Sequence, residues 1–251
     1  MQTYSILPNW QCVDVQGPDA KDFLHRLSSA NFKFLKPGQF TAATLLAANG
    51  KILLYFKALA VADEHYLLWS PAGAQATFDA LERMHFREDF KITSNAAGYT
   101  YLRALSSTTD LEPAVALHTG QALKGAGQWD GVWILKESKW NSAPLLHDVG
   151  LLVQTEKLSS IEQVLHDSGY TKTNSLEAYR IRAHDAQYPE ELGPNTIPLE
   201  VYLDDAVHEN KGCYPGQEVI ERIRSMGQPP RMMVVVHGIG EAPKTPVPIT
   251  A

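Results

Sequence analysis

An α+β fold is predicted by the order in which apolar runs of two different periods follow one another. Strand-like and helix-like stretches alternate irregularly, which favours mixed sheets with helices packed on them over a regular βαβ repeat. Two long apolar runs, Phe40 to Ala47 and Lys51 to Val61, are separated by Asn49-Gly50, a dipeptide suited to the φ > 0 conformations of a tight hairpin turn. Hydrophobic residues make up 44% of the 251 and charged residues 20%, which is the composition of a globular chain with a sizeable core. That length fits one large domain or two ordinary ones.

The elements run in order along the chain. Cys12 to Val15 reads as a short strand with Val13 and Val15 on one face. Gly17-Pro18-Asp19 then opens a helix with proline and an acid in its first turn. Ala20, Phe23, Leu24 and Leu27 recur at helical spacing, so this helix is expected to lie on a sheet. After the hairpin, Tyr66 to Trp69 gives a strand, and Ala72 to Met84 a helix with Ala74, Phe78 and Leu81 as its apolar positions. Thr100 to Leu105 and Val132 to Leu135 read as strands, with a glycine-rich loop from Gly120 to Gly131 between them. That loop lacks a complete dinucleotide or P-loop fingerprint and is assigned no phosphate. Leu158 to His166 reads as a helix stopped near Gly169, and Ser175 to Ala183 as another, with Asn174 or Ser175 as candidate caps. Met232 to Val236 looks like the first strand of a new module, and Pro243, Pro246 and Pro248 leave the residues after it little regular structure. No internal repeat is visible.

Composition excludes several classes of function. A net charge of -6 argues against broad binding to nucleic acid or anionic membrane, while leaving room for a local basic pocket. The longest apolar run, Ile52 to Ala62, is broken by Lys57 and too short to span a bilayer. The first residues show neither a secretory signal nor the arginines of a transit peptide, and two distant cysteines make no disulfide framework. A cytoplasmic setting is the expectation. No Cys-x-x-Cys or His-x-x-x-His spacing supports a resident metal.

The stretch with most chemical content is Lys211-Gly212-Cys213-Tyr214-Pro215-Gly216-Gln217-Glu218. It sets Cys213 between two glycines, after a lysine and before a helix start. A thiol becomes a nucleophile or ligand when its thiolate is stabilised, and both an ammonium and the amide end of a helix do so. Gly212 and Gly216 permit φ > 0 or close approach of backbone. Cys213 is therefore read as a working thiol tuned by Lys211, and Cys12, in an apolar strand, as packing. Tyr214 either packs under the loop or stacks on a planar ligand. Gln217 and Glu218 start the helix, and Glu218–Arg222 and Glu221–Arg224 stand at spacings that make surface ion pairs.

Pro198-Leu199-Glu200, together with the motif from Lys211 to Arg222, resembles the signature of the YgfZ-type folate-binding proteins. These are relatives of the glycine-cleavage T-protein, an aminomethyltransferase, and are associated with iron–sulfur protein assembly or maintenance. Gly17-Pro18-Asp19-Ala20 with Phe23-Leu24, and Gly38-Gln39 with Leu45-Leu46 and Gly50-Lys51, are similar to the family's first strand–helix unit and next hairpin. The resemblance implies a T-protein-like folate-binding fold over residues 1–226, in two intertwined subdomains. Residues 227–251 are then the start of an incomplete C-terminal barrel. It also implies tetrahydrofolate as cofactor, a transient iron–sulfur cluster, and iron–sulfur client or assembly proteins as partners. Cys213 and Lys211 would carry the chemistry, with no permanent metal. Arg180, Arg182 and Arg222 are candidates for folate contacts.

One departure stands out: Arg182 occupies a position where the family commonly has glutamate. A carboxylate suits a pterin because its two oxygens accept from the adjacent ring N–H and amino groups, and an arginine accepts none. Three functions are then expected. The first is a folate-binding accessory protein for iron–sulfur enzymes. The alternatives are a folate-dependent aminomethyl or methyl transferase, and a divergent homologue that has lost folate and binds proteins.

Overall fold

A computed structural model describes residues 2–107, 127–129, 132–136 and 147–236. Eleven strands among these form two sheets. β1 (Gln2–Ile6), β7 (Tyr99–Ser106), β8 (Gly127–Trp129), β9 (Val132–Lys136), β10 (His147–Gln154) and β11 (Thr171–Lys172) make one, in the order β11-β1-β7-β10-β9-β8. β2 (Gln11–Gln16), β3 (Phe40–Leu46), β4 (Ile52–Ala62), β5 (His65–Ser70) and β6 (Lys91–Ser94) make the other, in the order β3-β4-β5-β2-β6. Apart from the parallel contact of β11 with β1, every pairing is antiparallel. The chain enters the first sheet, crosses after Ile6 to build the whole of the second, and returns through β7.

Alternation along the strands assigns the layers. Val13 and Val15 turn to a core shared with α1 (Ala20–Leu27) and α2 (Ala74–Glu82), while Cys12 beside them turns the opposite way. Cys12, Leu59, Leu67 and Trp69 from one sheet meet Tyr101, Trp133, Leu135 and Leu152 from the other. On the outer face of the first sheet, Leu102, Ala104, Val149 and Leu151 pack with Ile161 and Leu165 of α3 (Leu158–Asp167). The order of layers is thus helix, sheet, sheet, helix, with each sheet buried on both faces.

A separate apolar cluster joins Ala42, Leu46, Ile52 and Tyr55 at the end of the β3–β4 hairpin to Leu192, Leu199, Val201, Leu203 and Tyr214. It also takes in Ile220 and Ile223 of α5 (Gln217–Met226). The returning chain is fastened here by polar contacts as well. Ser29 Oγ donates to the Ala206 carbonyl (2.5 Å) and shares a hydrogen bond with Thr44 Oγ1 (2.8 Å). The His208 amide donates to the Ser29 carbonyl at 3.0 Å.

The predicted α+β class and the hairpin hold. Periodicity passed over β1, β6 and β10, and the Ser175–Ala183 helix is shorter, as α4 (Glu177–Arg182). Met232 to Val236, expected as a strand, has no regular secondary structure. Instead, the Met233 amide donates to the Glu200 carbonyl, and the Arg231 guanidinium grips the buried Glu200 carboxylate through Nε and Nη2, both at 3.0 Å. Burial pushes the Glu200 carboxyl up, but Arg231, the Ile197 amide and the charge of Lys51 outweigh it, so its pKa is lowered overall. Those contacts fasten the segment to Glu200. Of the glycine-rich loop, residues 127–129 form β8, and the rest lies outside the described residues, as do the prolines after Val236. No closed barrel occurs among the described residues.

Candidate functional site

The cysteine loop is built by two glycines that allow backbone to touch backbone. Gly216, the N-cap of α5, has φ +77°, and a Cβ there would lie 2.5 Å from the Ala47 carbonyl oxygen and 3.1 Å from Gly50 Cα. Gly50, at the hairpin turn, also has φ +77°, and its missing side chain leaves room for Val219. Side chains rarely adopt this conformation, so the hairpin and the helix start interlock only as glycines. Gly212, by contrast, faces open space.

Between them, Cys213 is exposed. Lys211 is buried, donates through Nζ to the Ser28 carbonyl, and sits 4.7 Å from the ring centroid of Tyr214. Burial is the main cause that lowers its pKa to about 8; a Cys213 thiolate opposes that shift and Lys33 adds to it. Lys211 therefore gives up its proton more readily than an exposed lysine does. Tyr214 is buried, and its hydroxyl has no hydrogen-bond partner among the described residues. Cys12 is sealed between the sheets, and burial, with Asp14, pushes its thiol well above the ordinary range. Gln217 and Glu218 occupy the first turn of α5, where Glu218 pairs with Arg222 at 2.9 Å on an exposed surface.

A second feature lies elsewhere. A cavity of about 300 Å³ opens where the chain crosses between the sheets. Its lining includes the apolar Ile6, Leu7 and Trp10 and the charged Arg103, Glu177, Arg180 and Asp185. None of its lining residues comes from the cysteine loop. Arg180 belongs to its wall, whereas Arg182 and Arg222 do not. Arg180 is spanned by Glu177, Glu191 (2.9 Å) and the Asp185 carbonyl (3.1 Å). Arg182 is exposed.

Three residues, two of them lining this cavity, form a charge network that the sequence reading did not assign. Arg103 on β7 directs Nε and Nη2 to the two oxygens of Asp148 on β10, and Nη1 to Oδ2 of Asp185. Their side chains are 8%, 0% and 20% exposed in the order Arg103, Asp148, Asp185, so Asp185 is the most exposed of the three. Burial acts to lower the Arg103 pKa, but the two carboxylates dominate and hold it well above the ordinary value. The signal was present: Arg103 is the one charge in the apolar run Tyr101 to Leu105, and a buried charge requires a partner. Which partner is a matter of tertiary structure.

Helix termination brings Asp185 to the wall. At the end of α4, the His184 amide donates to the Ile181 carbonyl and the Asp185 amide to the Arg180 carbonyl, with His184 at φ 53°. This is the paired 5→2 and 6→1 pattern of a Schellman cap, with histidine where glycine is usual. Trp10 also lines the cavity. Its ring lies 5.3 Å from Tyr101 and 5.9 Å from Tyr55, with the Lys57 ammonium 5.1 Å from its centroid. Among the described residues no three His, Cys, Asp or Glu side chains gather as a metal-binding set, and no helix is long and apolar enough to cross a membrane.

No family model matches the chain. A protein of Arabidopsis thaliana described as "Putative transferase, chloroplastic" is 25% identical over 222 residues, which is 84% of this chain and 50% of the relative. The crystal structure of the glycine cleavage system aminomethyltransferase T from Bartonella henselae superposes with a TM-score of 0.70 at 19% identity. That match covers 89% of this chain and 63% of the other. Heterotetrameric sarcosine oxidase from Corynebacterium sp. U-96 matches at a TM-score of 0.41 and 13% identity, over 66% of this chain and 83% of that one, too weakly to carry an argument. The fold is therefore the α+β fold of the T-protein, and the chain spans about half the length of the curated relative it matches.

Proposed function

We propose that this chain is the folate-binding body of a one-carbon transfer protein of the aminomethyltransferase kind. In this reading the cavity takes the bicyclic head of tetrahydrofolate. The observation that carries it is the T-protein fold over 89% of the chain, joined to a cavity lined by Trp10 together with Arg103, Glu177, Arg180 and Asp185. A volume of about 300 Å³ lies at the small end of ligand sites, room for a planar head with the remainder of the molecule extending outward. Trp10 offers a flat apolar surface, and the charged side chains that also line the cavity offer polar contacts for a heterocycle. When bound, tetrahydrofolate would supply the nitrogen that accepts or releases the one-carbon unit. The chain's own residues orient that head and keep water from it. The description of the Arabidopsis relative as a transferase points the same way.

Calorimetric titration with tetrahydrofolate, followed by turnover of an aminomethyl donor in its presence, tests the reading. Absence of heat at millimolar ligand refutes folate binding and leaves a protein-binding role. Binding without turnover refutes transfer alone.

A second reading is favoured by the exposure of Cys213 two residues after the buried Lys211, whose pKa burial lowers to about 8. Here the chain assists iron–sulfur client or assembly proteins in the cytoplasm, with Cys213 as a transient thiolate toward a cluster, and Gly212 and Gly216 shaping its loop. Alkylation rates of Cys213 against pH, in wild type and Lys211→Ala, test it. Identical profiles, both typical of a free thiol, would count against it.

A further inference from the structure

The cysteine loop contains a buried positive charge that no carboxylate balances among the described residues. Lys211 is 6% exposed, and an ammonium has three donors. One goes to the Ser28 carbonyl at the end of α1, and the centroid of the Tyr214 ring lies 4.7 Å from the nitrogen. Neither partner carries a charge. After burial itself, the groups that act on this ammonium are Cys213, when ionised, and Lys33. Asp204, Asp205 and Glu209 of the adjoining segment are exposed and are not among them. One thiolate against two ammoniums leaves a net positive charge, and a buried charge without a counter-ion is costly. The negative end of an eight-residue helix offsets at most about half an elementary charge.

His25 is the second sign of an anion where the end of α1 meets the cysteine loop. It lies one turn before Ser28, so the two share a face of α1. The residue is 7% exposed, and its Nδ1 has no hydrogen-bond partner among the described residues. After burial, the strongest influences on the ring are the ammoniums of Lys211 and Lys33, with Asp22 opposing them. Asp22 is itself engaged by Arg26 at 2.9 Å. His208, which also acts on His25, is tied to the same junction by its amide on the Ser29 carbonyl. Lys33, His208 and Cys213 are exposed, so the junction meets solvent.

We propose that Lys211, Lys33 and His25 form an anion subsite at the cysteine loop, and that the substrate of the Cys213 thiol is a small disulfide carrying a carboxylate. The subsite holds the carboxylate while the Cys213 thiolate attacks one sulfur. A bond forms between Cys213 and that sulfur as the sulfur–sulfur bond breaks, and the departing thiolate takes up the proton that Cys213 released. One disulfide replaces another, so no outside oxidant or reductant enters. The inference deepens the reading of Cys213 as a working thiol and rests on it.

The experiment measures mixed-disulfide formation at Cys213, mapped by mass spectrometry, with an anionic, a neutral and a cationic reagent: dithiodipropionate, hydroxyethyl disulfide and cystamine. Each rate in the folded protein is divided by the rate in urea-unfolded protein. Folding is expected to favour the anionic reagent over the neutral one by about 3- to 10-fold and to disfavour cystamine by as much, the effect of one ammonium about 6 Å away at a partly solvated site. Added sodium chloride should shrink this spread. Lys33→Glu, at an exposed position, should abolish the anionic advantage, and Lys211→Met should reduce it. Circular dichroism reports the fold; if Lys211→Met does not fold, Lys33→Glu decides. An anionic advantage that survives Lys33→Glu overturns the proposed subsite. Equal ratios for all three reagents in wild type also overturn it, while leaving Cys213 a working thiol. No mixed disulfide with any of them overturns both.

Discussion

Replacing Arg103 with methionine tests whether the buried charge network holds the first sheet to the turn after α4. The substitution keeps the length and apolar stem of the side chain but removes its charge and five donors. Asp148, with none of its side chain exposed, then loses the guanidinium that both of its oxygens face. Asp185, 20% exposed, turns to water at lower cost. Removing one member of a buried pair costs about 3–5 kcal/mol, and the Asp148 side should supply most of it here. That is a large share of the roughly 5–15 kcal/mol that stabilises a domain. Urea unfolding followed by tryptophan fluorescence suits the measurement, since Trp69 and Trp133 both lie in the core between the sheets. The control is Arg103→Met with Asp148→Leu. With both charges gone, stability should return to within about 1 kcal/mol of wild type, because a buried pair and an apolar replacement are often nearly equivalent. A single variant within about 0.5 kcal/mol of wild type, the scatter of an ordinary surface change, would refute the reasoning. So would a double variant no better than the single.

Further predictions concern the cysteine loop and its supports. Gly216→Ala should lower the thermal midpoint clearly, since its left-handed backbone alone costs about 1–2 kcal/mol and the added carbon meets the Ala47 carbonyl. Gly212→Ala, facing open space, should leave the midpoint near wild type. Lys211 has a folded pKa of about 8 against an ordinary 10.5, so the unfolded chain binds the extra proton between those values. Stability relative to Lys211→Met should therefore rise with pH across that window, and urea midpoints at pH 7 and pH 10.5 that show no relative change would contradict this. Burial first, then Lys211, Lys33 and His208 against the opposing Asp22, lower His25 to about 4 from an ordinary 6.5. Its contribution is present above 6.5 and lost as pH falls toward 4, so wild type should lose stability more steeply than His25→Gln over that range.

Much of the fold was legible because its information is local. The hairpin follows from Asn49-Gly50 and two apolar runs, α1 from Gly17-Pro18-Asp19 and the spacing of Phe23 and Leu24, and the sheet position of Cys12 from its valine neighbours. The exposed Cys213 between two glycines was readable for the same reason. β10 was not: buried on both faces, it lacks the alternation that marks a half-solvated strand. Met232 to Val236 misled in the other direction, since its apolar residues suggested a strand while the contacts of Arg231 and Met233 with Glu200 fasten it without regular secondary structure.

The sequence by itself determined the α+β class, the principal hairpin and helices, and a glycine-bounded thiol, because each depends on residues near one another along the chain. Only tertiary structure decided the cavity, the pairing of Arg103 with Asp148 and Asp185, and the separation of that cavity from the cysteine loop. These depend on where distant segments meet. Periodicity tells which face of a strand is buried, but which charge waits on the opposite side is fixed only when the sheets and the turn after α4 have packed together.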